Sequence, residues 1–335
     1  MNYKDTRKPE LSIIIVNWNA KDVLRDCLTS IYSTIKKTSF EIIIVDNCSS
    51  DGSVEMIRNN FPEVTLIPET KNLGFSKANN AAFPYAAGKY ILALNPDVIL
   101  LEGSIDKMVA FLDKHEDVGI LGPKIFNKDG EISSACKRKL PTVLRSAKRI
   151  FLIDNIVIKV KSILCKISPP IKDKIHSYYN QTEECEFTEG SCLLIRRELF
   201  EILKGFDETV PMYLDDVDIC FRARKMGQKI FYLANASIIH LGSHSTKKKN
   251  NHKIFDVLLL QANVVYFRKH YGMKTVMVFK SLIGLSIPFL LLLDILTFPL
   301  VIVKGEIEER MWVIKKHLKY INIIFNTDIQ CLSER

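Results

Sequence analysis

The chain has 335 residues, 47% of them hydrophobic and 25% charged, with a formal net charge of +9. That length and composition suit a protein with a sizeable buried core, either one large domain or one of about 240 residues with an appendage. No nucleic-acid recognition motif or interleaved aromatics accompany the positive charge, and neither GxGxxG nor GxxxxGK[ST] occurs, which sets aside nucleic-acid, dinucleotide and Walker-type partners.

The opening MNYKDTRKPE lacks an apolar run, so no secretory signal is expected. Leu11–Val16 reads as a strand, and Val23–Ile35 places Leu24, Cys27, Leu28 and Ile31 at helical spacing. Glu41–Val45 is a second strand, and Ser50-Asp51-Gly52-Ser53 offers hydroxyl and carboxylate groups to cap a helix through Met56 and Ile57. Val64–Ile67 and Tyr90–Leu94 are further strands, followed by a helix near Ser104–Lys114 and a strand near Val118–Gly122. This alternation predicts a Rossmann-like α/β fold, a mostly parallel sheet with helices on both faces.

Residues 137–180 break the rhythm. Between Lys137 and Lys174 lie eleven Lys and Arg against Asp154 and Asp173, interspersed with apolar residues such as Phe151, Leu152 and Ile156, and Pro169-Pro170 close the helical part. An anionic membrane surface is the expected partner of that mixture. Patterning returns with Glu186–Ile195, Arg197–Leu203, a helix over Asp215–Met226, and two short strands, Lys229–Leu233 and Ser237–Leu241. The expected organisation is a catalytic domain over 1–250 carrying the insert, then a helical, membrane-associated region over 251–335. Within the latter, Ser281–Val303 has Asp294 as its sole charge and is long enough to cross a bilayer. Kinks at Pro288 and Pro299 argue instead for a hairpin dipping into one leaflet or a helix lying in the interface, held by flanking lysines. The eight cysteines show no CxxC pair, which fits a reduced compartment.

Polar residues recur at the ends of the apolar runs: Val16-Asn17-Trp18-Asn19, Val45-Asp46-Asn47, Asn95-Pro96-Asp97, Asp215-Asp216 and His240. The carboxyl ends of parallel strands share one edge, where ligands bind, so these groups are expected to converge. Asp97 suits a hard divalent cation, and Asp46 can accept a hydrogen bond such as that of a pyrimidine N3–H. The turn into a helix at Asn72-Leu73-Gly74, with Asn79 further on, offers backbone N–H groups to an anion such as a diphosphate. Asp218 and Arg222 form an i,i+4 pair of structural character. Asp215 and Asp216 face the crevice, where the helix dipole is expected to keep a carboxylate ionised and ready to take a proton.

Taken together, and with the runs NLGFSKANN, GSCLLIRRELF, GFDE and YLDDVDICFRARKMG, these residues resemble the inverting family 2 glycosyltransferases of GT-A fold, most of all the rhamnosyltransferase-like branch, over about Leu11 to His244. The resemblance implies that Val16, Asn17, Asn19 and Asp46 lie beside the nucleobase, and that Asn72, Gly74, Asn79 and Asn95 serve the rest of a UDP- or dTDP-sugar. Asn95-Pro96-Asp97 corresponds to the DxD motif with its first acid replaced. Asp97 and His240 would hold Mg²⁺ or Mn²⁺, Asp216 would be the catalytic base, and Asp215 with the Glu189-Gly190-Ser191 turn would shape the acceptor side. The implied reaction moves a sugar, with rhamnose a candidate, to a lipid-linked glycan at the cytoplasmic face of the membrane. A polyprenyl-phosphate sugar synthase and a non-catalytic nucleotide-sugar-binding scaffold are the alternatives.

Overall fold

The computed structural model describes residues 8–150, 177–210, 214–242, 251–303, 315 and 318–325. Contacts divide the chain into two compact units: Met1–Leu140, Pro170–Glu208 and Asp215–Ser245, and Pro141–Pro169, Thr209–Leu214 and Thr246–Arg335.

The first unit is built on a nine-stranded sheet of order β3-β2-β1-β4-β8-β6-β9-β5, with β7 also paired to β9. In chain order the strands are β1 (Leu11–Asn17), β2 (Phe40–Asp46), β3 (Thr65–Pro68), β4 (Tyr90–Leu94), β5 (Val98–Leu100), β6 (Val118–Phe126), β7 (Glu183–Cys185), β8 (Cys192–Arg196) and β9 (Lys229–His240). The expected parallel pairing holds across β3-β2-β1-β4 and again between β6 and β9. Between them β8 runs antiparallel to both β4 and β6, and β5 and β7 run antiparallel to β9, so the whole sheet is mixed.

The central strands are apolar without interruption because both faces are covered. Ile13, Ile15, Ile42 and Ile44 pack into one core with Leu24 and Leu28 of α1 (Lys21–Thr34), Met56 and Ile57 of α2 (Ser53–Asn60), and Met108 and Leu112 of α4 (Ser104–Lys114). Ile14, Ile43, Val45 and Ile91 point the other way onto Ala78 and Ala82 of α3 (Phe75–Ala82). Each such side chain contributes about 1.5–3 kcal/mol by leaving water. A one-residue slip of β1 would exchange the two sets, so the pattern fixes the register. Cys27, Cys192 and Cys220 are buried free thiols whose pKa values burial pushes up, so they behave as small apolar side chains.

Three expectations change in detail. The helix after β2 starts on Gly52 in the left-handed region, and Asp51 rather than Ser50 supports its start by accepting hydrogen bonds from the Ser53 N–H and hydroxyl. The two short strands expected over 229–241 are one continuous strand, β9, whose register against β6 shifts between Pro123 and Lys124; residues 234–236, between the two expected strands, are absorbed there. Lys137, read as part of a membrane-facing patch, is buried: its Nζ sits 2.5 Å from Glu183 and 2.6 Å from the Tyr178 carbonyl. Residues 151–176, with most of that patch, lie outside the described residues. Two further helices, α6 (Arg197–Ile202) and α7 (Asp215–Lys225), complete this unit.

The second unit is helical. A short helix, α5 (Val143–Ile150), is tied to the long segment Asn251–Val303 by a buried hydrogen bond from the Ser146 hydroxyl to Asn263 Oδ1 (2.5 Å). Helical geometry over Asn251–Val303 is interrupted at Gly272, where φ is +82°, a conformation that glycine adopts without a Cβ penalty. The backbone stays helical through Pro288 and Pro299, so neither proline breaks the helix and the hairpin expected over Ser281–Val303 does not form. Among the described residues no helix is long and apolar enough to cross a membrane.

Candidate active site

Strand register assembles the site. The β1–β2 pairing sets Asn17 opposite Asp46, and the Asn17 side-chain amide donates to Asp46 Oδ2 (2.7 Å) and Ser49 Oγ (3.2 Å). The other Asp46 oxygen accepts the Ser49 N–H (2.9 Å), so this buried carboxylate is held on both sides by the protein. Asn19, in the left-handed region at φ +49°, accepts the Ser50 N–H at Oδ1 and donates its own N–H to Ser49 Oγ. Two strand ends are thereby knotted into one rigid corner. Val16 lies behind it on the apolar face, packed against the core around α3.

From that corner Asn47 reaches the next loop. Its Oδ1 accepts the Leu73 N–H (3.2 Å) and its Nδ2 donates to the Gly74 carbonyl (3.3 Å), while Asn72 Oδ1 accepts the Gly74 N–H. Asn79, expected to serve the ligand, lies within α3 and donates to the Phe75 carbonyl instead. Ser76 in the first turn of α3 donates to Asp215 Oδ1 (2.5 Å), which connects the loop to the start of α7.

Asp215 and Asp216 open α7, where the expected helix over Asp215–Met226 begins. Asp216 accepts the Gly190 N–H at Oδ2 (2.9 Å) and the Val217 N–H at Oδ1 (2.8 Å). Burial pushes its carboxyl up to about 6, and this outweighs the two backbone N–H groups that favour the ionised form. The expectation that a helix dipole would dominate is therefore corrected: desolvation sets the direction. Arg138, at the start of the insert, opposes the rise with its positive charge. Gly190 allows this close approach, because a Cβ there would stand 3.0 Å from that of Asp216 and the carboxylate would have to shift.

The antiparallel pairing of β4 with β8 then carries the network onward. Leu94 faces Cys192, so the Asn95 N–H reaches the Ser191 carbonyl (2.9 Å). In the same way β5 and β9 pair Val98 with His240, which sets Asp97 against the end of β9, and the Leu241 N–H donates to the Asp97 carbonyl (3.0 Å). His240 Nε2 lies 3.2 Å from Asp97 Oδ1, and its Nδ1 lies 3.0 Å from Glu189 Oε1. Burial alone would lower the pKa of this imidazole, but hydrogen bonds to Asp97 and Glu189 outweigh it and push the value up to about 10. Two buried polar atoms, Asn17 Oδ1 and Ser191 Oγ, have no hydrogen-bond partner, as expected of groups that a ligand or water completes.

Among the described residues no cluster of three or more His, Cys, Asp or Glu is arranged to hold a metal. Asp97 and His240 nevertheless present one carboxylate and one imidazole nitrogen to the same space. With its pKa at about 10 the imidazole shares its Nε2 proton with Asp97; a divalent cation that displaced this proton would take the same carboxylate and ring nitrogen as ligands, with diphosphate oxygens and water beside them and the imidazole favouring Mn²⁺. Glu189, read from the sequence as part of an acceptor-side turn, occupies the other ring nitrogen, where it fixes which nitrogen faces Asp97. Glu189 and Arg138 gave no sequence signal for these roles: each meets its partner across a long chain separation.

The architecture and the strand-end carboxylates define a GT-A-type α/β glycosyltransferase. The chain belongs to glycosyl transferase family 2, whose model matches residues 12–203. It is 29% identical over 254 residues to the N-acetylglucosaminyl-diphospho-decaprenol L-rhamnosyltransferase of Mycobacterium tuberculosis, covering 70% of this chain and 77% of that one. In fold it is similar to mannosyltransferase PcManGT of Pyrobaculum calidifontis, solved with GDP-Man and Mn²⁺ (TM-score 0.55, 16% identity, 96% of this chain and 89% of that one). It is also similar to residues 1–349 of Staphylococcus aureus TarS (TM-score 0.51, 16% identity, 94% and 81%). The scaffold alternative is thus set aside in favour of an enzyme.

Proposed function

We propose that the protein transfers a sugar from UDP- or dTDP-sugar to a hydroxyl of a lipid-linked glycan, inverting the anomeric centre, in the assembly of a surface polysaccharide. Rhamnose is the proposed sugar, on the motifs shared with the rhamnosyltransferase branch and the name of the mycobacterial relative. The observation that carries the reading is a continuous network along one sheet edge. It runs from Asn17 and Asp46 through Asn47 to Gly74, from Ser76 to Asp215, and from Asp216 through Gly190 to Ser191, Glu189, His240 and Asp97. A nucleobase corner, a helix-entry turn for phosphates, a carboxylate of raised pKa and a cation pair lie along it, the set of groups that a nucleotide-sugar and its acceptor require.

In this reading Asn17, Asn19 and Asp46 hold the nucleobase end, and Asn95 the ribose. The Leu73 and Gly74 N–H groups are taken by Asn47 and Asn72, so the turn at Asn72–Gly74 shapes the entry to α3, and the N–H groups at the start of that helix face the diphosphate. A divalent cation held by Asp97 and His240 would offset the negative charge gathering on the leaving diphosphate. Asp216 takes the proton of the acceptor hydroxyl as that oxygen attacks the anomeric carbon. The new C–O bond forms on the face opposite the breaking bond to phosphate, and the nucleoside diphosphate departs with its electron pair. Gly190, Ser191 and Asp215 border the acceptor. A thermal-shift panel of UDP- and dTDP-sugars with and without Mn²⁺ tests this, since a bound donor raises the melting temperature by mass action. A panel in which no nucleotide-sugar shifts the melt would sink it.

The reading puts the enzyme at the cytoplasmic face of the membrane. Supporting this, Met277, Val278, Leu282, Leu285 and Leu292 form an exposed apolar stripe at helical spacing near Lys269 and Lys274. The protein is expected to sediment with anionic vesicles at low salt; protein left in the supernatant would refute this placement.

A further inference from the structure

The N–H groups that face the donor's diphosphate and the carboxylate that takes the acceptor proton stand on different helices, α3 and α7, and a direct link joins the two helix starts. Ser76, in the first turn of α3, donates its hydroxyl to Asp215 Oδ1 (2.5 Å), and Asp215 immediately precedes Asp216. Both partners are buried, so water competes little for the bond. The hydrogen bonds of Asp216 itself, from the Gly190 and Val217 N–H groups, fix its carboxylate against the approach to β8 and against its own helix. Neither refers it to the donor. The Ser76–Asp215 bond does, because Ser76 belongs to the helix start that faces the diphosphate. In-line displacement needs base, acceptor oxygen, anomeric carbon and leaving oxygen in one arrangement, and a misplacement of about 1 Å can cost about 10²-fold in rate.

Docking of the two helices does not depend on this bond. One turn further along the same face of α3, Asn80 Oδ1 accepts the Phe206 N–H (2.9 Å) and its Nδ2 donates to the Phe206 carbonyl (2.8 Å). The Phe75 ring meets that of Phe206 edge-on at 5.3 Å. From α7, Arg222 donates to the Leu203 and Gly205 carbonyls (2.8 and 2.9 Å). Residues 203–206 are thus held by both helices, and α3 and α7 stay together without the Ser76 hydroxyl. What the hydroxyl adds is the orientation of the first turn of α7, where Asp216 sits.

We propose that Ser76 is a positioning residue for the base: through Asp215 it holds Asp216 at the distance from the donor's diphosphate that in-line attack requires. This rests on the proposed function for the roles of α3 and Asp216. The test is a double-mutant cycle on the whole chain, comparing wild type, Ser76→Ala, Asp216→Asn and the double variant. Turnover is read as nucleotide release from the dTDP- or UDP-sugar that binds, with a lipid-linked glycan as acceptor, and affinity for dTDP and UDP with Mn²⁺ is measured separately. Ser76→Ala is expected to lower kcat at least about tenfold, with nucleotide affinity and acceptor KM within about twofold of wild type. In the Asp216→Asn background the same substitution is expected to change turnover by less than about twofold, since the group it positions is already gone. Ser76→Thr, which keeps a hydroxyl, is expected to recover most of kcat. Equal fold-losses in both backgrounds, the mark of a merely structural hydroxyl, would overturn the proposal. So would weakened nucleotide binding that accounts for the loss, which would make Ser76 a ligand of the diphosphate. A rise in acceptor KM alone would do the same, by confining the bond to Asp215 and the acceptor. Unchanged kcat in Ser76→Ala removes the positioning role while the proposed function stands. Wild type that binds nucleotide and transfers to no acceptor removes the proposed function, and the positioning role with it.

Discussion

Asp216→Asn separates the chemistry of the carboxylate from its place in the fold. The carboxyl titrates at about 6, so at pH 7 about nine-tenths of it is ionised and able to accept a proton, against about one-tenth at pH 5. Wild-type turnover is therefore expected to fall about tenfold from its plateau by pH 5. Asparagine cannot accept the proton, and turnover at pH 7 should drop by about 10²–10⁴-fold, or roughly 3–5 kcal/mol of barrier, leaving a residual rate without the acid limb. Stability should move the other way. A carboxyl whose folded pKa lies above its ordinary 3.8 favours the fold when protonated, and that advantage is lost as pH rises through about 6. Holding the ion at pH 7 costs about 3 kcal/mol for two pKa units. The amide removes that cost but can accept only one of the two N–H groups, from Gly190 and Val217, that the carboxylate accepts, giving back about 1 kcal/mol. The variant should thus be about 1–2 kcal/mol more stable than wild type at pH 7, with the gain gone by pH 3.5. Denaturant melts at both pH values and nucleotide release with acceptor present measure the two effects. A folded variant whose turnover stays within about threefold of wild type would refute the base assignment and favour a lipid-phosphate acceptor, which needs no base.

Asp97→Ala should abolish transfer and remove the Mn²⁺ dependence of nucleotide binding in a thermal-shift titration, with His240→Ala weakening that dependence less; unchanged metal-dependent binding in the Asp97 variant would reduce Asn95-Pro96-Asp97 to a turn. Glu189→Gln should weaken Mn²⁺-dependent nucleotide binding by about 10-fold or more, because the ring loses the carboxylate that orients it, with turnover recovering at high Mn²⁺. Loss of turnover that no Mn²⁺ concentration restores would instead return Glu189 to the acceptor side. Asp218→Asn should cost stability rather than rate. Its buried carboxylate lies 2.6 Å from Arg222, which also donates to the Leu203 and Gly205 carbonyls. Leaving that guanidinium unpaired costs on the order of 3 kcal/mol, and donor affinity in the surviving folded fraction should match wild type.

Much of the first unit is legible in the sequence for a physical reason. β4 and α4 appear with the bounds that the apolar run and the helical spacing indicate, since a doubly covered strand must be apolar throughout and an amphipathic helix must show its stripe. β5 was not legible: three residues after an Asn-Pro turn carry no periodicity, and the strand exists because β9 offers it an edge. That same pairing creates the contact of Asp97 with His240, which lie far apart in the chain and are brought together by strand register alone. Glu189 looked like a turn residue because its partner lies 51 positions away. The protonation of Asp216 was misjudged because local sequence displays the helix dipole but not the packing that removes water from the carboxylate.

The central claim is a single displacement in which an acceptor hydroxyl, deprotonated by Asp216, attacks the anomeric carbon from the face opposite the diphosphate. The most direct measurement is the anomeric configuration of the newly formed glycosidic bond, read by NMR from the one-bond carbon–proton coupling at that carbon, with a donor of known configuration. The account predicts inversion, and a product that retains the donor's configuration would contradict it.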